Sequence, residues 1–207
     1  MISQTIINLV YTRIMKKLLW LAIAIFTAEI IGIIGYYWLF KGYAGDISLT
    51  ISRYVGLSPI TSILFLIGNA AISIITIICM VNSKNRKFSW RFGYGMFSLC
   101  LLMLSICPRL PENDQVIYIH RFFAAGMFLS LVLISYSVAN LAKNKLARTF
   151  CHLYILYGFH FLIARLNNLP YLMNTILIWE TAYIYGGFII MIMPISSPPN
   201  KYDKLTP

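Results

Sequence analysis

Acidic residues are scarce in this chain: six Asp and Glu stand against seventeen Lys and Arg among 207 residues, for a formal charge of +11. Charged side chains of both signs make up only 11% of the total, where soluble domains carry about 25%. An ordinary water-facing surface cannot be built from so few charges. The four cysteines, Cys79, Cys100, Cys107 and Cys151, show no CxxC or zinc-ligand spacing, so no disulfide framework is expected and the thiols read as packing residues. No GxSxG, Ser-x-x-Lys or phosphate-cradling glycine loop occurs, which removes the usual signatures of acyl and phosphoryl transfer. Internal repeats and low-complexity tracts are missing too.

What the chain has is apolar length. Hydrophobic residues make up 59% of it, and six stretches approach the ~20 residues a helix needs to cross ~30 Å of hydrocarbon. They cover 18–40, 58–81, 88–107, 116–142, 147–164 and 171–193. The third and fifth are the least apolar, because Ser89, Trp90 and Arg91 begin one and His152 and His160 interrupt the other. The loops between them leave no room for a soluble domain. The expectation is an all-α protein: one six-helix transmembrane domain over 1–207, with 194–207 a flexible cytoplasmic tail. The run after Lys16-Lys17 is too long for a signal-peptide core and no small-x-small cleavage site follows, so it reads as an uncleaved first helix.

Orientation follows from the basic residues. With the N-terminus in the cytoplasm, Arg13, Lys16, Lys17, Lys84, Arg86, Lys87, Arg91, Lys143, Lys145, Arg148, Lys201 and Lys204 fall inside, twelve of seventeen. Lys41, Arg53, Arg109, Arg121 and Arg165 fall outside. Short loops rich in Lys and Arg stay on the cytoplasmic side, so both termini are placed inside. The positive charge is thereby explained without nucleic acid, and membrane lipids are the expected partners. The location is the cell membrane, or an endomembrane in a eukaryote.

Ionisable and amide groups are costly inside a bilayer, so each one there has a partner or a task. Glu29 lies near the middle of the first span beside a ladder of small residues, Ala24, Ala28 and Gly32, which would let a neighbouring helix approach closely. It is either a hydrogen-bonded packing residue or a group that handles a proton or substrate. Ser62, Asn69, Ser73 and Thr76 form one polar seam on the second span, with Asn69 at mid-membrane, read as interhelical glue or cavity lining. Toward the outer side, His120 and Arg121 open the fourth span, His160 and Arg165 close the fifth, and Asn174 and Glu180 begin the sixth. Glu180 falls about 12–14 Å in, at 1.5 Å per residue. These six residues agree in depth across three spans, which points to an outward-facing polar pocket.

Two histidines and a carboxylate are a metal set on paper, but no HxxxH or HxxE spacing fixes them on one helix; no metal or other cofactor is expected. Three readings of the pocket stay open. In the first it receives a lipid headgroup or an amphipathic small molecule, with Arg121 and Arg165 on the anionic group and His160 and Asn174 lining the site. In the second, His120 is the acid/base of a membrane hydrolase or transferase and Glu180 orients it. In the third, Glu29 and Glu180 carry protons in a small transporter, and a purely structural subunit remains a further possibility. Whether the protein is an enzyme is left open.

Three segments together carry a resemblance. Ile51-Ser52-Arg53-Tyr54-Val55-Gly56 with Ser58-Pro59 and Phe65, then Cys107-Pro108 with Ile119-His120 and Ala124-Ala125, and last Ile178-Trp179-Glu180 resemble elements of the DRAM/Frag-like six-helix membrane proteins and of a bacterial branch sharing their plan. The family's acidic residue after Ile-Ser is Arg53 here, with Asp46 upstream, and Ala164 stands where the bacterial branch often has Glu. The resemblance implies a six-helix fold tied to lysosomal or autophagic membranes in eukaryotes, and only His120 and Glu180 fall on matching positions.

The charge division generates a topology test. Cysteine introduced at Ser83 or Asn144 is expected to resist an impermeant thiol reagent in intact cells, and cysteine at Asn113 to react. Labelling of Ser83 from outside would reverse the orientation.

Overall fold

A computed structural model describes residues 2–41, 50–82, 88–107, 114–142 and 144–193, with side chains from residue 12 onward except those of 41 and 114. The described residues form eight helices and no strand: α1 (Ile2–Lys41), α2 (Ile51–Gly56), α3 (Pro59–Val81), α4 (Phe88–Ile106), α5 (Asp114–Leu141), α6 (Lys145–Leu166), α7 (Pro170–Met173) and α8 (Ile176–Ile192). Five of them, α1, α3, α4, α5 and α6, are long and apolar enough to cross a membrane. The chain is an all-α, multi-pass integral membrane protein. The expected tail 194–207 lies outside the described residues.

Two elements differ from the sequence expectation. The first helix begins at Ile2 rather than near residue 18 and runs for 40 residues, about 60 Å at 1.5 Å per residue. Neither glycine nor proline occurs before Gly32, so nothing in the backbone stops the helix at the bilayer edge. The last stretch, expected as one span over 171–193, is broken at residues 174–175 into the four-residue α7 and the 17-residue α8. Alone, α8 measures about 26 Å, short of a ~30 Å core.

Local sequence sets the ends of the helices. Ser58 caps α3 by accepting the Ile60 N–H at 3.3 Å, with Pro59 in the first turn where no amide hydrogen is needed. Asn144 caps α6 in the same way through the Leu146 N–H at 2.9 Å. At the other end of α6, the Leu169 N–H reaches the Ala164 carbonyl at 3.0 Å and the Asn168 N–H the Arg165 carbonyl at 3.3 Å. This left-handed termination needs a positive φ, and Asn168 supplies one at 50°. Pro170 then starts α7.

Sequence neighbours pack in turn, α1 on α3, α3 on α4, α4 on α5 and α5 on α6. α8 closes the arrangement by touching α1, α5 and α6, with α2 and α7 against its first turns. Lipid tails are as apolar as leucine, so hydrophobic burial cannot drive this association; close packing and interhelical hydrogen bonds do. Tyrosine supplies many of them. Tyr154 donates to the Tyr183 carbonyl (2.7 Å), Tyr157 to Trp179 (3.0 Å) and Tyr94 to Met191 (3.1 Å), so three carbonyls of α8 are held by phenols from α6 and α4. Tyr183 in turn donates to the Phe128 carbonyl on α5 at 3.1 Å. Thr27 of α1 and Tyr185 of α8 share a hydrogen bond of 2.6 Å.

Glycines make room for these rings reciprocally. Tyr183 of α8 lies over Gly158 of α6, and Tyr154 of α6 lies over Gly186 and Gly187 of α8. In each helix the tyrosine and glycine are four residues apart, on one face (Tyr154/Gly158 and Tyr183/Gly187). A methyl group at Gly158 would stand 2.7 Å from Tyr183 Oη, and at Gly187 2.8 Å from Leu131 Cδ2. The Ala24/Ala28 ladder expected to meet a neighbour faces outward instead: both alanines are exposed, while Phe26, Glu29, Ile33 and Tyr37 form the inner face of α1.

Gly158→Ala is therefore expected to lower the stability of the purified protein by about 1–3 kcal/mol, since the buried ring cannot move aside. Gly35→Ala, with nothing within 4 Å of the added methyl, should be neutral or gain up to about 1 kcal/mol of helix propensity. Thermal unfolding in detergent separates them, and an equal response of the two variants would contradict the packing described.

Candidate functional site

The polar residues singled out in the sequence divide between one end of the bundle and its middle. The end is where α2 and α7 lie, together with the C-terminal turns of α1, α4 and α6 and the first turns of α3, α5 and α8. α2 is only six residues long, so its conformation depends on partners. Thr50 caps it, accepting the Arg53 N–H at 3.2 Å. Its last carbonyls are satisfied from two long helices: Tyr37 of α1 donates to the Tyr54 carbonyl at 2.8 Å, and Thr61 and Ser62 of α3 donate to Val55 at 3.1 and 2.8 Å. Its first amide is satisfied by α8, where Glu180 Oε2 accepts the Ile51 N–H at 2.9 Å. Ile51 and Glu180, far apart in the sequence, thus touch.

His120 is buried in α5, and its Nδ1–H donates to the Cys107 carbonyl at the end of α4, 2.9 Å away. That bond holds the hydrogen on Nδ1 and ties the ends of α4 and α5 together. His160, by contrast, is exposed on α6. Its Nε2 shares a hydrogen bond of 2.9 Å with the Tyr171 hydroxyl of α7, and its ring stacks on Tyr171 at 5.9 Å between centroids. Trp179 lies 5.9 Å from the same ring and stacks on Tyr157 at 5.3 Å. The two histidines thus engage different elements, α4 for His120 and α7 with α8 for His160. Asn174 is exposed at the C-cap of α7, its N–H on the Pro170 carbonyl at 3.0 Å.

Arg165 sits half-buried in the last turn of α6. Its guanidinium feels the charges of both Glu180 on α8 and Arg121 on α5, so these three residues from three helices share one electrostatic neighbourhood. Among the described residues its hydrogen-bond partner is the Met173 thioether, Nη1 to Sδ 2.9 Å, and a thioether is a weak acceptor. Arg121 is exposed and donates no hydrogen bond to a described residue. Among the described residues, Arg165 thus lies near a second guanidinium, Arg121, and near Glu180, the carboxylate that serves the backbone of α2.

The middle of the bundle holds Glu29 and Asn69, both buried and both without a hydrogen-bond partner among the described residues. The rest of the polar seam on α3 is used. Ser73 donates to the Ser98 carbonyl at 3.0 Å, and Thr76 shares a 2.6 Å hydrogen bond with the Ser98 hydroxyl on α4. Among the described residues no group of three or more His, Cys, Asp or Glu is placed to hold a metal ion.

The sequence reading did not single out Tyr171, Met173 or Tyr157 as site residues. Fourteen tyrosines gave the only signal, and the pairs that matter lie on different helices, where no spacing rule reaches. No family model, curated protein or solved structure matches the chain.

The Glu180 contact predicts a split between two substitutions. Glu180→Gln retains an oxygen for the Ile51 N–H and should leave α2 docked. Glu180→Ala leaves that amide without its partner and should cost about 1–3 kcal/mol. Trypsin cleavage after the exposed Arg53 is the direct readout: faster in Glu180→Ala, unchanged in Glu180→Gln. Equal cleavage in both would show that Glu180 does not hold α2.

Proposed function

We propose that this protein is a six-pass membrane protein, with α8 as the sixth crossing and the α2/α7 end outward, that binds an anionic amphiphile. The headgroup would rest between Arg121 and Arg165. The observation that carries this reading is the unequal matching of charge at that end. Among the described residues, Arg165 lies near both Arg121 and Glu180, and Glu180 accepts from the Ile51 amide. A phosphate or carboxylate headgroup supplies what the guanidiniums lack, paired acceptor oxygens in a plane.

The surroundings suit a lipid. Trp179, Tyr171 and Tyr157 cluster beside the site, and aromatic rings with a polar edge favour the headgroup level. The outside of the bundle offers an apolar seat for acyl chains, with Trp38, Phe40, Phe122, Leu156 and Ile163 all exposed. The twelve-to-five division of basic residues supports placing this end on the outer side. The likeness to the DRAM/Frag-like proteins belongs to the same reading, resting on the α2 segment, His120 and Glu180. In this reading His120 and Glu180 shape the site through the α4–α5 and α2–α8 contacts and do not perform a reaction.

Native mass spectrometry of the detergent-purified protein tests it. An anionic phospholipid should be retained in preference to a zwitterionic one. Arg165→Ala should weaken retention about tenfold, the equivalent of one charge-assisted hydrogen-bonded contact. Arg165→Lys, which keeps the charge but loses the fork, should fall between. Equal retention of both lipids, or no change in an Arg121→Ala/Arg165→Ala double variant that folds, would overturn the proposal.

A further inference from the structure

Glu29 stands apart from everything described above. It is 6% exposed, and neither carboxyl oxygen has a hydrogen-bond partner among the described residues. Its side chain lies directly against Gly68 of α3: a Cβ at that position would strike the carboxyl, with Cδ 2.9 Å away. Gly68 is thus the gap in α3 that the carboxyl fills. The next residue, Asn69, is wholly buried, and neither its amide nitrogen nor its amide oxygen is satisfied. Both residues sit at similar depth. Glu29 is twelve residues from the end of α1, about 18 Å, and Asn69 ten from the start of α3, about 15 Å, which places them near the centre of a ~30 Å core.

Four unmatched heteroatoms at mid-membrane are not packing glue, because glue is defined by the bond it makes. A carboxylate anion held there without a counter-ion or donor costs far more than a buried amide does. The helices packed against α1 bring no cation to it. α3 contains no Lys, Arg, His, Asp or Glu, and its one titratable group is Cys79, ten residues further along. On α8, Glu180 accepts from Ile51, Tyr183 donates to Phe128 and Tyr185 bonds with Thr27. On α2, Arg53 is exposed and Tyr54 belongs to the network at the end of the bundle. Among the described residues, nothing cancels a charge on Glu29.

We propose that Glu29 and Asn69 form a proton-binding site at the centre of the membrane, between α1 and α3, distinct from the arginine end and independent of its role. The carboxyl takes up and releases a single proton. The amide is not bonded to the carboxyl in this structure, but it carries both an acceptor for the acid's O–H and a donor for the anion's oxygens, so closing the gap between the two side chains serves either state. A proton fits better than a metal cation because the site offers three oxygens, two carboxyl and one amide, fewer than the six that an alkaline-earth ion takes.

The test uses the full chain in lipid nanodiscs and the apolar reagent N,N′-dicyclohexylcarbodiimide. A carboxylic acid adds across the carbodiimide with no leaving group, its proton passing to nitrogen, so each reacted site gains the mass of one reagent. The expected result is one adduct, on the peptide carrying Glu29, with yield falling as pH rises and the acid form is lost. Glu29→Gln should melt like the parent and give no adduct there. Asn69→Leu, which removes the amide at similar volume, should move the midpoint of labelling to higher pH, because the anion loses its donor. The proposal is overturned if Glu29 in folded protein is unlabelled at every pH, is labelled equally at every pH, or is protected by sodium at constant pH. An unchanged midpoint in Asn69→Leu would overturn the paired site.

Discussion

A polar group inside a bilayer has no water to fall back on, and the bundle is organised around that requirement. Its most economical answer is the tyrosine hydroxyl, which reaches across a helix interface from an apolar ring and donates to a backbone carbonyl of the neighbouring helix. Tyr154, Tyr157 and Tyr94 attach α8 in this way, and Tyr183 attaches α8 to α5. Where Tyr154 and Tyr183 lie against the facing helix, the opposite residue has to be small. Gly158, Gly186 and Gly187 follow from the tyrosines rather than from any need for backbone freedom. The same logic recurs with hydroxyls between α3 and α4 and at α2. A six-residue helix persists there because Tyr37, Thr61, Ser62 and Glu180 meet its terminal groups.

Against that background the exceptions gain meaning. Among the described residues, Arg165 donates to a thioether, Arg121 makes no hydrogen bond, and the polar atoms of Glu29 and Asn69 have no hydrogen-bond partner. Serine, threonine and tyrosine are consistently matched among the described residues, and the two proposals rest on these left-over groups, although the buried Trp90 indole N–H is left over as well. At the end of the bundle the leftover groups are cationic and border an aromatic cluster, which suits an anionic amphiphile. At the centre they are a carboxyl and an amide, which suits a proton.

Depth was legible in the sequence, and direction around each helix was not. Helix ends are set by bilayer thickness, caps and prolines, so α3 to α6 fall within about two residues of where hydropathy puts them, inside the usual uncertainty of helix boundaries. Where no such signal exists, the reading missed. Nothing between Met1 and Gly32 stops α1, and the turn at residues 174–175 that shortens α8 follows no glycine or proline of its own. The common depth of His120, His160, Arg121, Arg165, Asn174 and Glu180 was visible by counting along the helices. Which way each points depends on packing between elements: His120 turns to Cys107, His160 to Tyr171, and Arg165 to Met173. Small residues misled for the same reason. Ala24 and Ala28 look like a packing ladder yet face outward, while Glu29 of α1 packs directly against Gly68 of α3.

The account holds that the unmatched arginines, and not the apolar perimeter at large, decide where an anionic lipid stays. Photo-crosslinking with an anionic phospholipid carrying a photoreactive group at its headgroup, followed by peptide mapping, addresses this directly. The account predicts crosslinks concentrated on the first turns of α5 around Arg121 and on the α6–α7 junction around Arg165 and Met173, displaced by excess unlabelled anionic lipid. Crosslinks spread evenly over the helices, or displaced equally well by a zwitterionic lipid, would contradict it.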